Sequence, residues 1–223
     1  MKKIVLAATL TTYLLAGEGG DIFRSSVKVD TLEYQFNNAK TLSWSGYAYA
    51  GYDLNKFYFY SEGDKARKDL ADSKNQVVYS HAVAPYWDIQ MGLDYDKADT
   101  QNKTWGVIGF QGLAPYFFET RGIVLVGDDG NIGLRLDWEY EALITQKLIF
   151  TPSLALDAYT KDDPRMGIGS GLSNLTVGAR IRYEFIREFA PYCGIEWSQN
   201  FGKTNDYHSL NEAYLTAGLR FWF

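Results

Sequence analysis

Hydrophobic and polar residues alternate one by one over long stretches of this chain. In one stretch, Leu134, Leu136 and Trp138 alternate with Arg135 and Asp137. A period of two residues predicts a β-strand whose two faces meet different surroundings. Many of these runs are longer than the roughly five or six residues usual in soluble proteins. A tilted strand needs ~9–11 residues to cross a bilayer, so the pattern indicates membrane-spanning strands.

Twelve segments of this kind follow one another along the chain, near 31–37, 42–52, 57–65, 76–83, 87–95, 104–113, 116–126, 132–143, 148–159, 175–186, 192–200 and 213–223. Short connections (53–56, 84–86, 114–115, 145–146, 187–191) alternate with mostly longer, polar ones (38–41, 66–75, 96–103, 127–131, 160–174, 201–212). This alternation and an even strand number are typical of bacterial outer-membrane barrels. We therefore predict an all-β fold, a transmembrane antiparallel up-and-down β-barrel of twelve strands with both termini periplasmic.

The N-terminus has the layout of a secretory signal peptide. Lys2 and Lys3 form a short positive segment, and an apolar run from Ile4 to Ala16 follows it. That run is too short for a membrane-spanning helix, which needs ~20 apolar residues. We predict a signal peptide over residues 1–16 and a barrel over residues 17–223. A short buried helix is the alternative interpretation of the first segment.

Composition excludes several classes of protein. Among the 223 residues are 17 Tyr, 13 Phe and 6 Trp, too many aromatics for a disordered chain. The 27 acidic residues outnumber the 22 basic ones, which argues against a nucleic-acid binder with a basic surface. A single cysteine excludes a disulfide framework and any CxxC zinc or redox site within the chain.

Two further features agree with a barrel. The tripeptide Ala-Pro-Tyr occurs at 84–86, 114–116 and 190–192, and the predicted layout places all three at periplasmic turns. Proline suits such turns because it cannot donate to a strand ladder. The last segment alternates apolar residues on one face and ends on the aromatic residue Phe223, as barrels recognised by the outer-membrane assembly machinery commonly do.

If the apolar faces meet lipid, the polar faces line a lumen. The predicted inward acids are Glu33, Glu62, Asp88, Asp94, Glu119, Asp137, Glu139, Glu141, Asp157, Glu184 and Glu196, and the predicted inward arginines are Arg121, Arg135, Arg180, Arg182 and Arg220. The excess of acids predicts a negative potential that favours cations. We expect Asp88, Glu119, Asp137, Glu139 and Glu62 to form a transport pathway. A purely structural lattice of salt bridges is the alternative.

Few residues have side chains that hold soft metals. His208 and Met166 fall in predicted extracellular loops, where they would meet an arriving metal, although solvated loop residues are the simpler interpretation. His81 is a weaker candidate, because alternation places it on the lipid face near the periplasmic rim. Met91 and Cys193 also lie on predicted apolar faces and are expected only to pack.

Longer motifs carry a resemblance that covers the chain from about residue 45 to its end. The matching stretches are 51–56, 60–63, 79–88, 111–119, 161–164, 167–172, 187–192 and 220–223. They resemble the outer-membrane copper resistance protein B family. The resemblance implies a barrel in the bacterial outer membrane that handles copper, with copper as the bound ion. It also implies a periplasmic multicopper oxidase as a partner.

One difference from that family concerns the ligands for copper. Members often carry a Met- and His-rich segment before the barrel, because thioether and imidazole groups suit copper. This chain has only 3 Met and 2 His, and none between Gly17 and Thr41. Any copper site is therefore expected to be small or carboxylate-based.

Three classes of function remain at this point. The first is a barrel in copper resistance that binds or passes copper ions through an acidic lumen. The second is a passive structural or adhesive barrel. The third is a lipid-modifying enzyme, which needs a nucleophile within reach of a base. Ser80 and His81 are adjacent on a strand and point to opposite faces, so we expect no enzymatic activity.

Overall fold

A computed structural model describes residues 22–66, 72–98 and 101–223, and the predicted signal peptide lies outside this range. The strands are β1 (Arg24–Gln35), β2 (Leu42–Gly51), β3 (Asn55–Lys65), β4 (Asp72–Ala84), β5 (Trp87–Ala98), β6 (Gln101–Ala114), β7 (Phe118–Gly127), β8 (Ile132–Tyr140), β9 (Ala142–Leu143), β10 (Leu148–Tyr159), β11 (Gly171–Tyr183), β12 (Phe189–Asn200) and β13 (Asn211–Trp222). β9 continues β8 past Glu141 and pairs with the same neighbour, β10. The sheet therefore has twelve effective strands.

The sheet closes on itself, because β1 pairs with β13 as well as with β2. Glu33 lies opposite Gly218 in this seam, and all neighbouring strands are antiparallel. A closed sheet leaves no strand edge unpaired, which is the condition for crossing lipid with strands. The predicted antiparallel barrel of twelve strands is confirmed.

The two ends of the barrel differ in their connections. We call one the turn end; it carries both ends of the described barrel and the short connections near 52–54, 85–86, 115–117, 144–147 and 184–188. We call the other the loop end; it includes the connections at 160–170 and 201–210, and the latter contains the helix α1 (Gly202–Tyr207). A 3₁₀ helix (Pro115–Phe117) lies at the turn end. No helix of the described residues has the length and apolarity needed to span a membrane.

Two strand boundaries differ from the sequence prediction. β1 starts at Arg24 rather than near residue 31, because a β-bulge between Val29 and Thr31 shifts the alternation and conceals the first half of the strand. The predicted loop 96–103 was also too long. Asp96 and Lys103 pair within the β5–β6 ladder, and both side chains are buried inside the barrel.

The outer face of the barrel is apolar. Its side chains include Phe57, Val77, Met91, Leu93 and Leu215, which are all more than half exposed. A monomeric soluble protein does not expose so continuous an apolar surface, whereas lipid tails cover it at no cost. The alternation in the sequence therefore corresponds to an apolar outside and a mixed inside.

The Ala-Pro-Tyr repeats do not all have the same position. The first two lie at turns, where Tyr86 and Tyr116 have positive φ angles of 68° and 67°. The prediction was wrong for the third repeat, because the ladder with β13 already begins at Phe189. Tyr192 points inward there, and its hydroxyl group donates to Glu33 Oε2 at 2.9 Å.

Part of the lumen is filled by apolar side chains, which the sequence analysis did not anticipate. Val78, Trp105, Ile123 and Leu125 are fully buried on the inner faces of β4, β6 and β7. The 160–170 loop folds over this cluster and packs Ile168 against it. The barrel is therefore plugged on one side near the loop end.

Candidate functional site

The rest of the lumen contains a cavity of about 610 Å³. Inward positions of most strands line it, because alternate residues of each strand face the axis. Among the described residues at its surface, seven are carboxylates and four are cations: Asp30, Glu62, Asp88, Glu119, Asp137, Glu139 and Glu196, with Lys28, Lys74, Arg121 and Arg180. The cavity is thus lined by an excess of negative charge.

The structure places all five predicted pathway residues around this one cavity. Asp88 Oδ2 accepts hydrogen bonds from Ser80 Oγ at 2.9 Å and from Gln111 Nε2 at 3.4 Å. Glu62 forms an ion pair with Lys74 at 3.3 Å. These two carboxylates are therefore held by neighbouring side chains.

Two pathway residues are held least, and we call Glu119 and Asp137 the open pair. Glu119 lies opposite Glu139, and Asp137 lies opposite Arg121, in the β7–β8 ladder. Both are exposed within the cavity, and neither makes a hydrogen bond or ion pair with another described residue. Glu139 is held more than the open pair but less than Asp88 and Glu62, because its one ion pair, with Arg220 Nη1, is long at 3.7 Å. Of the five predicted pathway residues, the open pair is therefore the least neutralised by neighbouring side chains.

Other inward acids are locked to arginines. Arg180 lies between Glu33 and Glu196, at 3.1 and 2.7 Å. The hydroxyl groups of Tyr192 and Tyr214 donate to the same two carboxylates. This wall of β1, β11, β12 and β13 is the salt-bridge lattice that the sequence analysis gave as the alternative.

A second locked group lies under the apolar cluster. Arg135 Nη1 is 2.8 Å from Asp94, and Arg135 Nη2 is 2.5 Å from Asp96. The indole N–H of Trp105 donates to Asp96 at 2.9 Å. All three charged side chains are buried. We call Glu33, Asp94, Asp96 and Glu196 the paired set, because each has an arginine partner.

The three candidate metal ligands are not brought together. His81 lies on the outer face near the turn end, and its Nδ1 is 2.8 Å from Asn55 Oδ1. Met166 and His208 lie in neighbouring loops at the loop end. The His208 ring lies against Gly167, so closely that a Cβ there would be 2.5 Å from His208 Cδ2. The described residues contain no cluster of three or more His, Cys, Asp or Glu suited to a metal ion.

Met91 and Cys193 are exposed on the outer face, where alternation placed them.

Several cavity residues were missed from the sequence. Lys74 points inward, and a period-two count extended back from Gln76 would have found it; Lys28 also points inward, but it lies beyond the bulge in β1, where a count continued from Glu33 gives the opposite face. Asp30 reaches the cavity through the bulge in β1, for which the sequence gives no signal. The inward tyrosines of β2 and β3 were also not recognised as a group.

Known proteins resemble this chain over most of its length. The sequence model of the family described as copper resistance protein B precursor (CopB) matches residues 23–223. The chain belongs to the copper resistance protein B family. Copper resistance protein B of Escherichia coli is 38% identical over 203 residues, which cover 88% of this chain and 69% of that protein. A copper resistance protein B homolog of Pseudomonas syringae pv. tomato (strain ATCC BAA-871 / DC3000) is 36% identical over 200 residues, 87% of this chain and 68% of the homolog.

Solved structures show the same architecture. The NanC porin superimposes with a TM-score of 0.58 at 14% identity, covering 89% of this chain and 99% of the porin. That likeness concerns the fold alone. Together with the closed barrel and its apolar outer face, membership of the copper resistance protein B family locates the protein in the bacterial outer membrane.

Proposed function

We propose that this protein binds or passes copper ions across the outer membrane through its acidic cavity, as part of copper resistance and homeostasis. The observation that carries the proposal is the open pair, two carboxylates on the wall of a charged cavity that make no hydrogen bond or ion pair with another described residue. Family membership supplies the ion. The activity is transport or binding rather than catalysis.

Weak binding is what passage requires. Carboxylate oxygens are harder ligands than copper(I) prefers, so Glu119 and Asp137 hold copper loosely. An ion that is held tightly does not leave its site, whereas a labile relay lets it move on. The excess of carboxylates around the cavity also raises the local concentration of cations.

The proposed orientation places the loop end outside the cell and the turn end in the periplasm, after removal of residues 1–16. Met166 and His208 would then be the first soft ligands that arriving copper meets. Tyr116 and Phe117, both strongly exposed at the turn end, would face a periplasmic partner such as a multicopper oxidase.

A non-enzymatic role is supported by the positions of Ser80 and His81. Ser80 Oγ points inward and donates to Asp88, whereas His81 lies outside the barrel beside Asn55. A nucleophile and its base must be within hydrogen-bond reach of one another. These two side chains are on opposite sides of the sheet.

A passive structural barrel is the second candidate. It is favoured by the paired set, since Arg135 and Arg180 fix four carboxylates that therefore cannot exchange ions freely. The two candidates differ in what they predict for the open pair.

The test is copper accumulation in cells that lack the gene and carry a variant copy. Glu119→Gln with Asp137→Asn should leave the barrel folded and change cellular copper relative to the parent. The control is Glu188→Gln with Asp206→Asn, which removes the same charge at exposed positions outside the cavity. Copper levels equal to the parent's at every external concentration, in a folded variant, would favour the passive barrel.

A further inference from the structure

The cavity is larger and chemically different from a site for a bare ion. Its volume of about 610 Å³ is in the range of small-molecule sites, ~300–1,000 Å³. The described residues that line it include no Cys, His or Met. Thiolate, thioether and imidazole are the groups that hold bare copper best. The cavity is therefore better suited to a copper complex whose ligands come from another molecule than to a bare copper ion.

One side of the cavity is aromatic. Tyr47 of β2 and Tyr58 and Tyr60 of β3 point inward, and we call them the tyrosine wall. The rings of Tyr58 and Tyr60 are stacked, 5.5 Å apart and 9° from parallel. Tyr47 is 5.9 Å from Tyr58 and 5.6 Å from Tyr60. Inward aromatic rings on two adjacent strands present a surface for a flat ligand.

Two hydrogen bonds and an arginine hold the ring of Tyr60 in place. The Tyr60 hydroxyl donates to Gln111 Oε1 at 2.6 Å and accepts from Gln90 Nε2 at 2.9 Å. The Arg121 guanidinium lies 3.9 Å from the centre of the same ring and covers it. The Lys28 ammonium lies 5.5 Å from the centre of the Tyr47 ring, so Tyr58 is the ring of the wall that neither cation covers and that is most available to a ligand.

The same cavity holds Asp88, Glu119, Asp137 and Glu139. Aromatic faces and carboxylates both attract cations, the first through the ring quadrupole and the second through charge. Copper(II) with nitrogen and oxygen ligands adopts a square-planar or tetragonal geometry. A copper(II) chelate whose ligands occupy only the four in-plane positions is consequently flat, and it is positively charged when those ligands are neutral.

We propose that the cavity takes copper(II) as a flat, positively charged organic chelate, stacked on the tyrosine wall and balanced by the carboxylates. This inference rests on the proposed copper function and specifies its substrate. The chelator fills the in-plane coordination of the copper, so the protein holds the chelate through stacking and charge, and Glu119 and Asp137 act as weak ligands only for copper that arrives without a chelator.

Calorimetry on the purified, detergent-solubilised protein tests the inference with three copper(II) chelates. They differ in charge, and two of them are flat. Copper(II) bis-ethylenediamine is a flat dication, copper(II) bis-glycinate is flat and neutral, and copper(II) EDTA is an anion. We expect the dication to bind most tightly and the anion not at all. Palladium(II) bis-ethylenediamine has the same shape and charge, and it should bind like the copper dication.

Variants identify the surface that binds. Tyr58→Leu should weaken binding of the dication roughly three- to tenfold, the size of a lost aromatic contact. Tyr58→Phe keeps the ring and should bind within about twofold of the parent. Tyr95→Leu is the matched control, since Tyr95 lies on the outer face. Equal binding of all three chelates, or no change in a folded Tyr58→Leu variant, would overturn the inference.

Copper flux into vesicles that contain the protein separates this inference from the proposed function. If weakly buffered copper(II) enters at a rate that neither chelator nor Tyr58→Leu alters, copper passage stands and the chelate inference fails. If the dication binds at the tyrosine wall but no form of copper enters, the inference stands and passage fails.

Discussion

The paired set and the open pair consist of the same residue types on the same inner surface, yet their surroundings are opposite. Asp94 is fully buried and contacts Arg135 at 2.8 Å, while Asp137 is exposed within the cavity. A buried carboxylate is stable only beside a cation, because removal from water costs several kcal/mol per ion. A carboxylate that stays solvated needs no such partner. The barrel thus contains two kinds of inward carboxylate: the paired set, which stabilises the fold through ion pairs, and the open pair, whose charge is free to attract ions in the cavity.

The largest expected effect comes from removing Arg135, one of the two arginines that hold the paired set. Arg135→Met leaves Asp94 and Asp96 buried without their partner, which typically costs ~3–5 kcal/mol. We expect a large loss of folded barrel, measured as the band that shifts on boiling and by urea unfolding in detergent.

Its control is the triple variant with Asp94→Asn and Asp96→Asn added, which removes the unpaired charges. This variant should recover much of the stability. A folded yield for Arg135→Met equal to that of the parent would show that the paired set does not stabilise the barrel.

A somewhat smaller loss of stability should follow when a new charge is placed on the lipid face of a strand, compared with the same charge on its inner face. Val177→Arg in β11 puts a cation on the lipid face, where it costs ~2–4 kcal/mol near the bilayer centre. Thr176→Arg puts it into the cavity, where neighbouring carboxylates and solvent tolerate it. Arginine at Leu136 or Ile181, compared with arginine at Ser153, contrasts the same two faces. Equal folding yields for the Val177 and Thr176 variants would contradict the assignment of faces.

Changing the open pair should alter ion selectivity more than stability. Glu119→Lys with Asp137→Lys leaves five carboxylates facing six cations at the cavity surface. The reversal potential of the protein in a planar bilayer under a salt gradient should move towards anion selectivity. Urea unfolding should change by less than in the preceding variants, because neither carboxylate makes an ion pair and the new lysine opposite Arg121 adds a like-charge contact worth only ~0.2–1 kcal/mol. An unchanged reversal potential would show that ions do not pass the open pair.

The smallest effect concerns an exposed ion pair between the loops. Lys203 Nζ donates to Asp162, and the backbone N–H of Ser170 donates to the same carboxylate, so the pKa of Asp162 falls to about 2. A lowered pKa means that this contact contributes above the unfolded pKa of ~3.9 and is lost as the pH falls towards 2.

Lys203→Met should raise the pKa of Asp162 towards its ordinary value, which an NMR titration of the carboxyl group measures. Stability should hardly change, since exposed ion pairs are screened. A marked loss of stability at neutral pH would show that this pair does more than join two loops.

The period of two residues was sufficient to predict the barrel, because each strand has lipid on one side along its whole length. It failed where local geometry departs from a regular ladder. The bulge in β1 hid residues 24–30, and Asp30 with them. The sequence also placed both kinds of carboxylate in the lumen without separating them. Which acid meets an arginine depends on contacts across the lumen, such as Arg180 with Glu33, and these join residues 147 positions apart.

The β1–β13 seam has a consequence for how the protein folds. Ser26 Oγ donates to the carbonyl oxygen of Phe223, 197 residues away, and the backbone N–H of Val27 donates to the same oxygen. Neighbouring hairpins join strands that are close in the sequence, whereas the seam joins residues as much as 197 positions apart, and such distant contacts form slowly. Until then β1 and β13 are open edges that can pair with other chains. We therefore expect closure of the seam to be a late step, and we expect removal of β13 to leave a sheet with open edges that can aggregate.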